Sequence, residues 1–116
     1  MSDTISQALT ALSNPTRREL VRLLLELGPQ PVQPLAAHFE MRRPSVSEHL
    51  KVLRGAGLVG EERRGRQRVY RLRTGALLEV VEWLAPYERF CRRQPAEAVD
   101  GRGSGACAGP PTASDS

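Results

Sequence analysis

Between Arg42 and Arg73 the chain reads RRPSVSEHLKVLRGAGLVGEERRGRQRVYRLR. This stretch holds ten basic residues (Arg42, Arg43, Lys51, Arg54, Arg63, Arg64, Arg66, Arg68, Arg71 and Arg73) against three acidic ones, Glu48, Glu61 and Glu62. Its balance is +7 on a chain of 116 residues whose net charge is +4, so the remainder sums to −3. A local cationic footprint on a mildly acidic body suits a polyanion better than general solubility does. All but Lys51 are arginines, whose planar fork grips phosphate oxygens with paired donors. Arg64, Arg66 and Arg68 crowd one turn around Gly65. Like charges so close repel unless an anion answers them, and a nucleic-acid partner is the anion expected. Ser45, Ser47, His49, Lys51 and Arg54 precede the turn. Small hydroxyls and cations near a helix start let a duplex backbone come close and offer groups to base edges and phosphates.

Other chemistry finds little support. There is no Ser/His/Asp set, paired-carboxylate motif or Gly-rich phosphate loop, so an enzyme is not expected. Cys91 and Cys107 are far apart and form neither a C-x-x-C pair nor a disulfide framework. His38 fits an exposed helix edge better than a ligand site. No apolar run approaches ~18 residues, so no membrane-spanning helix is expected. The start, MSDTISQALTALSN, has neither the basic end nor the apolar core of a secretory signal, and a cytoplasmic protein is the simplest expectation.

The elements that must hold the basic stretch are mainly helical. Ile5, Ala8, Leu9 and Leu12 recur at helical spacing, with Ser2 or Asp3 as a cap. Asn14-Pro15 opens a second helix that buries Leu20, Val21, Leu23, Leu24 and Leu27 and stops at Gly28; Arg17, Arg18 and Arg22 are expected on its solvated side. Residues 29–32 are expected as loop, followed by a short helix from Gln33-Pro34 with Leu35, Ala36 and Phe39 turned inward. Pro44 starts the next helix, whose Val46, Leu50 and Leu53 form one seam, with Gly55 and Gly57 ending it. Leu58, Val59 and then Val69, Tyr70 and Leu72 mark two strands with Gly65 at the turn. Residues 75–92 return to helix, which Pro86 should kink or end near Leu84-Ala85. From Gln94 the chain is rich in Gly, Ala, Ser and Pro. It has too little apolar surface to offset the entropy of ordering, so residues 1–93 are expected to form one domain and 94–116 a disordered tail.

Four helices, a hairpin and a last helix make a winged helix-turn-helix order. The segments ALSNPTRRELVRLLLE, PSVSEHLKVLRGAGLV and RRGRQRVYRL closely resemble the ArsR-like winged-helix repressors over residues 5–90. ALLEVVEWLAPYERF resembles the last helix of a metal-independent, often autorepressing branch. The resemblance implies a helix at 44–56 in the major groove, a hairpin at 61–72 on the adjacent backbone or minor groove, and a homodimer built by the first and last helices. It places Arg42, Arg43, Ser45, Ser47 and His49 at DNA-facing positions. Lys51, Arg54, Arg63, Arg64, Arg66 and Arg68 complete the expected DNA-binding set, and Ile5, Leu9, Leu77, Val81, Leu84 and Tyr87 the expected dimer interface. Arg42 stands where the family usually has a Ser cap and Arg43 where Gln is common, so base preference does not carry over.

The family's metal sensors use a Cys-x-Cys-Asp box before the recognition helix, or Asp, His and Glu on the last helix. The matching stretch here, Gln30 to Leu35, has no thiolate, carboxylate or imidazole, and residues 75–92 have no His, so no metal or other cofactor is expected. Cys91 is expected as a small apolar filler; a redox-responsive role for it is the less favoured alternative. The leading expectation is a homodimeric repressor on a pseudo-palindromic operator. The competing class is a protein-interaction adaptor that reuses the fold without DNA. An inducer held between the terminal helices is a further partner the architecture admits, and no residue pattern specifies one.

Overall fold

Asn14 and Gly28 bracket the second helix as their chemistry requires. Asn14 Oδ1 accepts from the Arg17 amide at 3.1 Å, Pro15 occupies the first turn, and Gly28, at φ 80°, donates its amide to the Leu24 carbonyl at 3.0 Å. The computed structural model describes residues 3–94. Among these the order is α1 (Asp3–Ala11), α2 (Pro15–Leu27), β1 (Gln30–Pro31), α3 (Val32–Ala36), α4 (Arg43–Gly55), β2 (Val59–Arg64), β3 (Gln67–Leu72) and α5 (Gly75–Arg93). The expected tail beyond Gln94 lies outside the described residues.

The seam of α4 is the centre of the core. Val46, Leu50 and Leu53 are fully buried, together with Leu20 of α2, Leu35 of α3, and Leu58 and Val59 at the start of the wing. The end of α4 is set by a Schellman arrangement. The Leu58 amide donates to the Leu53 carbonyl at 3.0 Å and the Gly57 amide to the Arg54 carbonyl at 3.0 Å, with Gly57 at φ 80°. Both leucines are buried, so the cap also starts the chain into β2.

The sheet has three antiparallel strands in the order β1-β3-β2. β2 and β3 pair from Val59↔Leu72 to Arg64↔Gln67, and Gly65 (φ 62°) and Arg66 form the turn between them. The expected loop at 29–32 is corrected: Gln30 pairs with Tyr70 and Pro31 with Val69. A two-residue strand ending in proline carries no alternation, and a missing N–H is tolerated on an edge strand, so nothing in its pattern announces it. This strand fixes the start of α3 to the base of the wing.

Three further expectations are corrected. Arg17 is half-buried rather than solvated: its Nε donates to the Ala11 carbonyl at 2.6 Å, while Arg18, exposed as expected, donates from Nη1 to the Leu12 carbonyl at 2.6 Å, and the two close the carbonyl end of α1. Leu27, expected inward, is exposed. Pro86 neither ends nor replaces the helix near Leu84-Ala85, because α5 includes it and runs to Arg93. A proline withholds one donor from the preceding turn, and on an exposed helix water can take its place.

The chain divides into two units, the first ending at Glu82 and the second beginning at Trp83. In the first, Ala76 and Val80 of α5 are buried in the core cluster, with Leu77 and Ile5 packed against it. In the second, the rings of Trp83 and Tyr87 lie 5.6 Å apart at 53°, and Arg92 pairs with Glu88. Among the described residues no helix is long and apolar enough to cross a membrane.

Candidate nucleic-acid interface

With Val46, Leu50 and Leu53 fixed inward, the residues at 43, 47, 51 and 54 fall on the flank of α4 beside that seam. There a cleft of about 590 Å³ opens, lined by Arg43, Ser47, Glu48, Lys51 and Arg54 of α4, Arg66 of the turn and Arg68 of β3. Pro31, Val32, Gln33, Gln67 and Tyr70 complete its walls. Six of the eleven expected DNA-binding residues thus meet in one place, drawn from a helix and a hairpin. A convex helix face beside a basic ribbon is shaped to meet phosphates with the ribbon and base edges with the helix.

The other five lie around it. Arg42 is the N-cap of α4 and makes no side-chain capping bond, as its departure from a capping residue implies. Ser45 is exposed beside it. His49 is half-buried, and its Nδ1 lies 3.3 Å from a terminal nitrogen of Arg17. Arg63 is exposed and directly opposite Arg68 in the ladder. Arg64 donates from Nε to Glu62 at 2.7 Å.

The expectation that only an outside anion would answer the crowded arginines is corrected. Glu61 Oε1 pairs with Arg54 of α4, and its Oε2 lies 3.2 Å from Arg68 of β3. Glu62 pairs with Arg64 at 2.7 Å and with Arg71 at 3.5 Å. The Arg64 hydrogen bond, then the charges of Arg64 and Arg71, hold the Glu62 carboxyl below the usual carboxylate range. Two glutamates therefore answer four arginines before any ligand arrives. Arg43, Lys51, Arg63 and Arg66 have no carboxylate partner among the described residues. The sequence reading missed Glu61 as part of the site. Its signal was strand parity: residues 59, 61 and 63 share a face, and Val59 on that face is buried.

Of the expected interface residues, Ile5 and Leu77 are half-buried, packed against the chain's own core. Leu9, Val81, Leu84 and Tyr87 are exposed, joined by Leu78, Trp83 and Phe90, which the set omitted. Cys91 is exposed, so it is not a buried filler. No group of three or more His, Cys, Asp or Glu among the described residues is placed to hold a metal ion.

A helix-turn-helix followed by a wing, closed around one cationic cleft, defines a winged helix-turn-helix DNA-binding protein. The family model for the bacterial regulatory protein, arsR family, matches residues 14–61, from the cap of α2 into β2. The transcriptional repressor SdpR of Bacillus subtilis (strain 168) is 32% identical over 80 residues, covering 69% of this chain and 88% of that protein. An ArsR-like transcriptional regulator from Rhodococcus sp. RHA1 superposes with a TM-score of 0.65 at 26% identity, over 78% of this chain and 85% of its own. The homodimeric winged helix-turn-helix DNA-binding domain Mb0332 from Mycobacterium bovis gives a TM-score of 0.59 at 25% identity, over 87% and 89% of the two chains. Among mycobacterial relatives that are longer, the chain spans between 52% and 61% of their length. The chain belongs to the arsR family of bacterial regulatory proteins, and is a transcriptional regulator with a DNA-binding winged helix rather than an enzyme.

Proposed function

We propose that two copies of this chain bind one pseudo-palindromic duplex and repress its own or a neighbouring operon, without a metal. The observation that carries this reading is the cleft: Arg43, Ser47, Lys51 and Arg54 of α4 face Arg66 and Arg68 across it. The helix supplies side chains for base edges while the wing tip grips the flanking backbone. Pairing rests on exposed apolar side chains: Leu9, Leu78 and Val81 in the first unit, and Leu84 and Tyr87 in the second. Apolar and aromatic side chains left in water are the usual core of a subunit contact. The M. bovis neighbour is described as a homodimer, and SdpR as a repressor, which favours the same assembly and outcome here. The stretch from Gln30 to Leu35 has no metal-binding side chain, which favours regulation without metal.

Footprinting on the promoter region upstream of the chain's own reading frame, over graded salt, tests this. Two protected half-sites with centres about 34 Å apart are expected, with log affinity falling by ~0.9 per phosphate contact for each log unit of salt. Folded protein with no salt-sensitive affinity for any duplex would overturn the proposal.

A further inference from the structure

We infer that Glu61 is a positioning residue of the DNA-binding cleft, holding Arg54 of α4 and Arg68 of β3 in fixed register and restraining their charge from indiscriminate phosphate binding. The inference rests on the reading that the cleft receives DNA. Each oxygen of one carboxylate serves a different guanidinium, and the two arginines come from different elements. The Glu61 side chain is 15% exposed, against 44% for Arg54 and 64% for Arg68. The acid is thus the sheltered hub and the cations are its outward arms. A carboxylate in that position does what a duplex phosphate would do, accepting from arginine at close range. It also joins the recognition helix to the wing, so that the two parts that must meet a duplex together are tied before they meet it.

Two consequences follow from the charge. The three groups together carry +1 rather than +2, so any duplex is attracted less strongly at this point. The guanidiniums are held at set positions, so a backbone that does not fit them gains little. Both effects favour a correctly placed site over random sequence. Glu62 is the internal comparison. It also pairs with two arginines, but both belong to the hairpin, and its side chain is 41% exposed.

The test compares the full chain and Glu61→Gln on the footprinted promoter fragment and on a random-sequence duplex of equal length, across salt. Glu61→Gln is expected to steepen the salt slope for random duplex by ~0.9 per freed arginine, which raises that affinity roughly eight-fold per contact at ~0.1 M salt. The promoter fragment gains less, because its register is loosened, so discrimination falls. In an Arg54→Gln, Arg68→Gln background the effect of Glu61→Gln on the slope should vanish. Should Glu61→Gln fail to fold by circular dichroism, Glu61→Asp carries the test: it keeps the charge, reaches one guanidinium only, and steepens the slope by ~0.9. An unmoved slope overturns the inference, as does persistence of the effect without both arginines, or an equal loss of discrimination in Glu62→Gln, whose two arginines both belong to the hairpin. A wild-type chain without salt-dependent affinity would instead defeat the DNA reading, and this inference with it.

Discussion

A terminal nitrogen of Arg17 lies 3.3 Å from Nδ1 of His49, 32 residues further along the chain. A guanidinium only donates, so in this contact Nδ1 stands in the acceptor position. The same arginine donates from Nε to the Ala11 carbonyl at 2.6 Å. One side chain of α2 therefore ties the end of α1 to α4.

Arg17→Ala should leave the Ala11 carbonyl and His49 without this partner and cost about 1–2 kcal/mol. In a domain of this size each kcal/mol lowers the melting temperature by roughly 4–8 °C, so thermal circular dichroism resolves it. Arg17→Lys should recover only part, since a single ammonium replaces a fork that reaches two elements.

Gly57 and Gly55 should respond to alanine with opposite signs. Gly57 sits at φ 80°, and a Cβ there would meet the Ala76 Cβ at 3.4 Å; Gly55 is helical with nothing within 4 Å. Gly57→Ala is expected to destabilise by about 1–2 kcal/mol. Gly55→Ala is expected to stabilise by roughly 0.5–1 kcal/mol. Urea midpoints at constant slope would show both, and a neutral Gly57→Ala would contradict the Schellman ending.

Arg66→Ala should weaken binding to all duplexes alike and lower the salt slope by ~0.9. Arg66 has no carboxylate partner among the described residues, so its charge is available in full. Arg68→Ala should do the same by a smaller amount, because Glu61 already shares that charge. Ser47→Ala, by contrast, should change which sequences are preferred and leave the slope where it was. Titrations over a panel of duplexes at several salt concentrations separate the two behaviours.

Val81→Asp or Tyr87→Asp should leave the fold intact and shift the protein from dimer to monomer in analytical ultracentrifugation. Both side chains are 55% exposed, so neither change opens a cavity. Footprints at a given concentration should weaken with it, since half-sites would be bound one at a time. A variant that stayed dimeric would move the contact off α5.

Acid should loosen the outer side of the wing. Glu62 titrates below the usual carboxylate range because Arg64 donates to it and Arg71 adds its charge. A lowered folded-state value means that the pair favours folding above the ordinary carboxylate range, and that this contribution is lost as pH falls through the folded value. The melting temperatures of wild type and Glu62→Gln should therefore differ more near neutrality than in acid below the folded value, where Glu62 is protonated. A gap that stayed constant with pH would argue against the pair.

Much of this was legible in the sequence because helix signals are local. Asn14-Pro15, the seam of Val46, Leu50 and Leu53, and Gly57 each announce their own roles within a turn or two. The hairpin was legible through Gly65 and the valines around it. What stayed hidden depended on distant partners. β1 exists only because Tyr70 and Val69 come alongside Gln30 and Pro31. Glu61 gains its role from an arginine on another element. Ile5 and Leu77 share residue types and spacing with their exposed neighbours, and only packing shows that they rest against the core. Six of the expected DNA-binding residues line one cleft, but the sequence did not reveal that four of the basic stretch's arginines had internal partners.

β1 pairs with the sheet only at Tyr70 and Val69, so the hairpin has a third strand beside β3 there and none towards its tip. From Arg63 and Arg68 outward the ribbon is two strands wide, the arrangement least able to hold itself flat and most given to coiling. A lever hinged in this way keeps its pivot while its fingertip trims to the contour it meets.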